Sequence, residues 1–591
     1  MSVASSTGRL PVEVVIPAGA AERGGRVGEV AAQSARVFII VVTFNRKPHA
    51  VNVIGAIAGQ DYPRELMDVV IVDNAGTDGT LEAIVERWKP ERVIRNETPR
   101  ASEPNFQKAD VTMGSACNAA GFRSLTVVRN QANLGGCGGF NTGFAFIDAV
   151  SRGEIELAGA DGTSPFGAGG GAGASGGSGG GPDRLWLVDD DIDLPTDALP
   201  QLLKAMASDE RIGIVGSRMV NLNDREHTYE TTIYLDHLSG QLSPQPIRGH
   251  RCFDSHFAWE KMVGGVHGRF TYTGTREVDI VAACSLLARW EAVKKVGFWD
   301  DRFFIYCDDA DWCLRMAQAG YRVMLNLDAV VYHIPWLLKS TPERSYYAQR
   351  NAAWMTQKNF HGWRLKRVMA RKMWGILKDS LRAMVMRREF HAEILRRTAH
   401  DAITGRGGKL DIGNGPKPVP LKEGFAQVGA LRAGAEVVFL CNQPDSLKWA
   451  RQVRDNLRAQ LAASSTQEPR WTIVVRNTVP GYETAGDEDG GWARRMVYGG
   501  RLPSRLKKQF AFARLRPAAC IVFENTNDMP VLLGGRGGNI HIDLKDATVC
   551  QPEHDGWGVR GRFAARWFGT ALRAAWFVLT CRSHVMKGKF A

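Results

Sequence analysis

RLWLVDDDIDL, residues 184–194, decides the fold: a short apolar run leads directly into three consecutive carboxylates, Asp189, Asp190 and Asp191. Working outward, RVFIIVVTF (36–44) and VVIVD (69–73) are continuous runs rich in β-branched residues. Runs of that kind suit parallel strands covered on both faces. A helical pattern at 48–60 separates them, and the turn NAGTDGT then leads to a second helix at 80–88. SLTVVRN carries a strand at 124–128 that enters NLGGCGGFNTGF and a further helix. Beyond the carboxylates, the sheet continues through IGIVGSRMV (212–220) and VDIVAACSLLA (278–288). A helical segment at 308–320 and a last strand, YRVMLNLDAVVYH (321–333), complete it. Alternating strands and helices predict an α/β fold with a mostly parallel sheet and helices on both faces.

The 591 residues exceed one ordinary core and predict about two to four domains. Hydrophobic residues at 44% and charged residues at 23% give a globular balance. Residues 1–34 read as a flexible N-terminal segment and 35–358 as the main α/β domain, interrupted by a Gly/Ala/Ser loop at 159–182. Residues 359–403 read as basic amphipathic helices, with Leu365, Met369, Met373, Ile376, Leu377, Leu381 and Met384 at helical spacing. A Gly/Pro-rich linker at 404–422 leads to a smaller α/β region at 423–556, with EVVFLC, a helix at 445–462, WTIVV and ACIVFE. A basic helix at 557–591 interleaves Arg with Trp and Phe.

The net charge of +13 concentrates near 361–397 and 559–589 and calls for an anionic partner. Zinc-finger, RNA-recognition and helix-turn-helix signatures are absent, so nucleic acid is not expected. Ten cysteines without CxxC pairs exclude zinc spacing and a disulfide framework, and suit a reducing compartment. With no signal-peptide core and no apolar run of ~20 residues, the expectation is a cytoplasmic protein, peripheral on the inner membrane face.

Three carboxylates at a strand end repel one another unless exposed or neutralised by a divalent cation. Alone, DDD reads as an acidic turn. Delivered by a buried strand to the rim where open α/β sheets bind ligands, it reads as a metal site. Asp308, Asp309 and Asp311 open the helical segment, where capping is one reading and proton abstraction by a general base the other. His333 ends the last strand and suits a metal ligand or a packed histidine equally. Asn133 and Gly135 stand where backbone N–H groups approach a phosphate or ribose, although the order is not GxGxxG. Asp73 fits a ribose or uracil contact, or a turn former.

Taken in order, VVTFNR, IVDNAGTDGT, NLGG-GGF, LVDDDID and FFIYCDDADWCLRMAQAGY ending in YH resemble the inverting family 2 glycosyltransferases, which have the Rossmann-like GT-A fold. The resemblance covers about 36–355 and is nearest to bacterial galactofuranosyltransferases of galactan synthesis. It implies transfer of galactofuranose from a UDP-sugar to a glycan or polyprenyl-lipid-linked acceptor. Rhamnosyltransferases share much of the layout, and a basic nucleic-acid-binding protein or a non-catalytic scaffold is the reading from another class. The implied roles are nucleotide-sugar contacts for Thr43, Asn45, Arg46, Asp73, Asn133, Gly135 and Asp190. Asp189, Asp191 and His333 would ligate Mn²⁺ or Mg²⁺. Asp309 would be the base, with Asp308 beside the reacting sugars, and Trp312 and Trp336 would shape the acceptor site. Two departures stand out: only about 35 residues precede the first strand, and the region after 420 has no counterpart in the resemblance.

Overall fold

In a computed structural model, the described residues are 35–98, 104–106, 111–112, 118–155, 183–262, 272–334, 341–385, 388–413, 419–427, 429–442, 445–462, 468–484, 491–499, 510–512, 514–523, 539–543, 548–550 and 557–583. Residues 1–34, the 159–182 loop and Trp336 lie outside them.

The main sheet begins with β1 (Val37–Thr43), α1 (Lys47–Ala58), β2 (Met67–Asp73), α2 (Thr80–Trp88), β3 (Arg92–Asn96), β4 (Val111–Thr112) and β5 (Ser124–Asn130). α3 (Gly135–Ser151) then leads to β6 (Arg184–Asp189) and the two-residue β7 (Ile192–Asp193). α4 (Ala198–Ala207), β8 (Ile212–Asn221), β9 (Asp224–Glu230), the β10–β11 hairpin (Tyr234–Leu235, Leu242–Ser243), α5 (Phe253–Met262) and β12 (Thr275–Glu277) follow. β13 (Ser285–Arg289), α6 (Trp290–Val296), α7 (Asp308–Gln318) and β14 (Arg322–His333) close it.

The strand order is β12-β14-β8-β13-β6-β1-β2-β5-β3-β4. β3, β5, β2, β1 and β6 are mutually parallel. β13 is inserted antiparallel between β6 and β8. The expected fold class is the observed one. Its continuous apolar runs are explained by two separate cores, one on each face of the sheet. Val53, Ile54 and Leu202 of α1 and α4 pack on one face; Phe144 of α3, Trp290 of α6 and Trp312 of α7 pack on the other.

The expected strand at 278–288 is shorter. Only Ser285–Arg289 is strand, and Ala283–Cys284 forms a turn ahead of it. The glycines of NLGGCGGFNTGF serve packing. A Cβ on Gly139 or Gly143 would stand 2.3 Å from Val42 Cγ1 or 2.5 Å from Ile40 Cγ2, so these glycines let α3 lie close on β1.

The basic stretch forms α8 (Pro342–Asn359), α9 (Gly362–Val385) and α10 (Glu389–Thr404). Of the apolar positions expected to face inward on α9, all are buried except Leu381. The expected linker is partly anchored: Gly408 N–H donates to Arg302 O (2.8 Å), and Leu410 N–H to Tyr347 Oη (2.7 Å). A second sheet then contains β15 (Val419–Pro420), α11 (Leu421–Gln427), β16 (Glu436–Cys441), α12 (Ser446–Ala462), β17 (Arg470–Arg476), β18 (Arg494–Tyr498), β19 (Ala519–Phe523), β20 (Asn539–Asp543) and β21 (Thr548–Cys550). Its order is β15-β21-β20-β19-β16-β17-β18, with β16 parallel to β17 and β19. α13 (Trp557–Thr580) returns to pack on α9 and α10. No described helix is long and apolar enough to cross a membrane.

Candidate active site

The carboxylates gather because of pairing at the sheet rim. β7 continues from the Asp189–Asp191 stretch and pairs antiparallel with the end of β14, placing Ile192 opposite His333. That register sets Asp191 beside the imidazole, with His333 Nε2 3.3 Å from Asp191 Oδ1. Asp189, Asp191 and His333 each offer one ligand atom, all within 4.8 Å of one another. Two carboxylates and an imidazole are hard to borderline donors that fit Mn²⁺ or Mg²⁺. Tyr229 of β9 hydrogen-bonds His333 Nδ1 (2.7 Å), which fixes the ring and leaves Nε2 facing the carboxylates.

Arg46 supplies the protein's own countercharge. Its guanidinium pairs with Asp191 and lies 3.5 Å from Asp190. Thr43 Oγ1 donates to Asp190 Oδ2 (2.7 Å), and burial pushes the Asp190 carboxyl up to about 7. Asp190 is thus hydrogen-bonded by Thr43 and ion-paired with Arg46 at the β1–β6 rim. Asn45, at φ 52°, accepts from Thr77 N–H (2.7 Å) and shapes the adjoining turn. Asp73 accepts from Gly76 N–H (2.9 Å), and Arg129 Nε stands 3.6 Å from its second oxygen. Burial raises the Asp73 pKa. Arg95, Asn96, Glu97, Arg129, Asn130 and Gln131 line a cavity of about 320 Å³ at the neighbouring strand ends.

Asp308 and Asp309 begin α7. Asp309 accepts from Ala310 N–H (2.7 Å) through one oxygen and from Ala283 N–H (3.1 Å) through the other. Cys284 O in turn accepts from Asp189 N–H (3.0 Å). The single turn Ala283–Cys284 therefore links the ligand cluster to Asp309. Burial pushes Asp309 up to about 6, aided by the Asp189 charge. Asp308 is driven well above the carboxylate range by burial and by Asp309. Glu230, at the end of β9, is pushed up to about 8 by burial, with the Asp309 charge adding to it.

The turn before α7 is strained. Phe304, Tyr306 and Cys307 all have positive φ (67°, 70° and 61°), a region costly for residues with a Cβ. α8 holds it. Asn351 Nδ2 lies 2.9, 2.8 and 2.8 Å from the carbonyls of Phe303, Ile305 and Tyr306. The buried Arg350 donates to Arg302 O and Phe303 O (both 3.0 Å). Sequence reasoning missed both residues, because neither belongs to a local motif and their partners lie more than 40 positions away.

One expectation changes. Trp312, expected at the acceptor site, is fully enclosed, donates to Gly297 O (2.9 Å) and packs on Phe144 and Trp299. It is a core residue, one turn along α7 from Asp308 and covered by Phe144 and Trp299. Asn133 and Gly135 are engaged within the chain. Asn133 Oδ1 accepts from Gly135 N–H (2.8 Å), and Cys137 N–H donates to Phe304 O (3.1 Å). Gly135 is required because its φ is +76° and a Cβ would meet Phe304 O.

Sheet order, carboxylate rim and acidic helix start together define an α/β protein with a cation-suited rim at its strand ends. In sequence, the chain is similar to galactofuranosyltransferases. Galactofuranosyltransferase GlfT2 of Mycolicibacterium smegmatis is 21% identical over 320 residues, covering 54% of this chain and 40% of that protein. GlfT2 of Mycobacterium tuberculosis is 22% identical over 321 residues, with the same coverage. The matched part is thus under half of those relatives' length. No protein-family model matches. Among solved structures, mannosyltransferase PcManGT from Pyrobaculum calidifontis with GDP-Man and Mn²⁺ shares 15% identity over 65% of this chain and 84% of that one (TM-score 0.32). S. aureus TarS 1-349 with UDP-GlcNAc shares 14% identity over 63% and 81% (TM-score 0.34).

Proposed function

We propose that the chain transfers galactofuranose from UDP-galactofuranose to a glycan or polyprenyl-lipid-linked acceptor, with inversion, at an anionic membrane face on the cytoplasmic side. The observation that carries the reading is the linkage of Asp189, Asp191 and His333 to Asp309 through one turn. Asp189, Asp191 and His333 would hold Mn²⁺ or Mg²⁺. A cation bound there offsets negative charge on the departing diphosphate. Asp309 accepts the proton of the acceptor hydroxyl, whose oxygen bonds to the anomeric carbon as the bond from that carbon to phosphate breaks and UDP leaves. A base with its pKa raised toward neutrality by burial suits that role. Asp308 contacts the reacting sugars. Thr43, Asn45, Arg46, Asp73 and Asp190 face the nucleotide side, and Arg46 keeps the carboxylates apart when no cation neutralises them. Trp336 remains the aromatic proposed for the acceptor side.

The test is a donor panel with Mn²⁺: UDP-galactofuranose, UDP-galactopyranose, UDP-glucose and dTDP-rhamnose, with product linkage read by NMR. Transfer from UDP-galactofuranose with inverted configuration is expected. Preference for dTDP-rhamnose would replace the donor, and retention of configuration would remove Asp309 from its role.

A further inference from the structure

Helices α9 and α13 run antiparallel. Trp567 Nε1 donates to Leu377 O (2.9 Å), and Phe563 packs with Met384 of α9 and Leu395 of α10. Their inward faces are thereby accounted for. Their outward faces carry large apolar side chains with no cover among the described residues. On α9, Trp363 and Trp374 are 65% and 63% exposed, and Leu381 and Val385 continue the same row. These positions are 11, 7 and 4 residues apart, which keeps them within about 40° around a helix. On α13, Phe568, Leu572, Trp576 and Leu579 form a second row, all at least 59% exposed. Arg566 lies 3.6 Å from Glu393 of α10, and Arg396 of α10 donates to Thr570 Oγ1 (2.9 Å). Phe568 and Leu572 follow those residues by two positions, about 200° around the axis, and so lie on the flank away from α10.

Charge accompanies both rows. α9 has seven Lys and Arg against the single acid Asp379, and α13 has four Arg and no acid. Arg367 sits over the Trp363 ring (5.8 Å), and Arg562, Arg566 and Arg573 are exposed on α13. Patches of this size rarely stay bare. Protein interface cores are depleted of Lys, whereas Trp and Phe interleaved with Lys and Arg match a bilayer interface. We propose that the outer faces of α9 and α13 form one docking surface for an anionic lipid bilayer. The aromatics enter at headgroup depth and the guanidinium and ammonium groups meet lipid phosphates. Neither helix crosses the bilayer. The inference deepens the membrane clause of the proposed function and uses no active-site residue.

The test is flotation of the full chain with phosphatidylcholine vesicles, with and without phosphatidylglycerol. Wild type is expected to float only with phosphatidylglycerol, and less as salt rises. The combined variant Phe568→Ser, Leu572→Ser, Trp576→Ser should lose on the order of tenfold in partitioning. In wild type, brominated lipid should quench the fluorescence of the outward tryptophans, a readout independent of any variant. Wild type staying with the soluble fraction, or flotation unchanged by the triple substitution, overturns the proposal. So does a dimer that the substitutions dissolve in the absence of vesicle binding. UDP binding and transfer to a soluble acceptor should persist in the triple variant, so loss of docking is separable from failure of the enzymatic reading.

Discussion

Replacing Asn351 by alanine removes the side chain that holds the carbonyls of Phe303, Ile305 and Tyr306, some 45 residues away. Its two N–H groups are shared among three acceptors, so the loss amounts to about two net hydrogen bonds, roughly 2 kcal/mol. Against this stand three non-glycine residues in left-handed conformations, each costing about 1 kcal/mol or more. The restraint and the strain are comparable, so the turn is expected to relax once Asn351 is gone. Asp308 and Asp309 follow immediately in the chain and would move with it. A displacement costing about 2 kcal/mol in the transition state lowers turnover roughly thirtyfold. The assay is initial-rate UDP release with acceptor, run beside calorimetric titration of Mn²⁺ and UDP. Transfer should fall while metal and nucleotide affinity stay close to wild type, because Asp189, Asp191 and His333 rest on β6, the turn between β6 and β7, and β14. Wild-type turnover in a folded Asn351→Ala protein would refute the claim that α8 holds the base in place. Equal losses in UDP affinity and turnover would also refute it, by showing a general collapse of the rim.

Further outcomes follow from the same geometry. Asp309 must be ionised to take a proton and its pKa is raised to about 6, so transfer should fall as pH drops through about 6 and level off above it. A stopped-assay pH profile reads this, and Asp309→Asn should abolish transfer while UDP still binds. Tyr229→Phe removes the hydroxyl on His333 Nδ1 and should weaken Mn²⁺ affinity about tenfold, measured by titration, with the fold intact by circular dichroism. Gly143→Val drives side-chain atoms into Ile40 and should destabilise the main sheet by several kcal/mol, seen as a lowered thermal midpoint.

Much of this was open to reading in the chain because burial on both faces forces composition. VFIIVVT and MDVVIVD are strands for the reason they look like strands: the runs are apolar except at the rim and at Asp68, whose buried carboxylate is held by Arg36 and Ser124. The gathering of Asp189, Asp191 and His333 was legible because carboxylates delivered to a strand end by a buried run collect at the sheet rim. The glycines of α3 could not be sorted by role in the chain, because a glycine needed for close packing and one needed for phosphate approach look identical there. Trp312 misled because one turn along the helix from Asp308 the chain has already entered the core, where Phe144 and Trp299 cover the ring. Arg350, Asn351, Tyr229 and Glu230 left no signal, since each acts on a partner distant in sequence. The 278–288 run held no mark of where strand gives way to turn, and that turn proved to be the joint of the site.

The Ala283–Cys284 joint has a practical consequence for redesign. Its amide restrains Asp309, and its carbonyl restrains the backbone of Asp189. On the proposed function, cation grip and proton removal would therefore share one hinge pin, and neither could be retuned by reshaping that segment alone. On that reading, an engineer seeking a new sugar specificity would leave these two residues untouched.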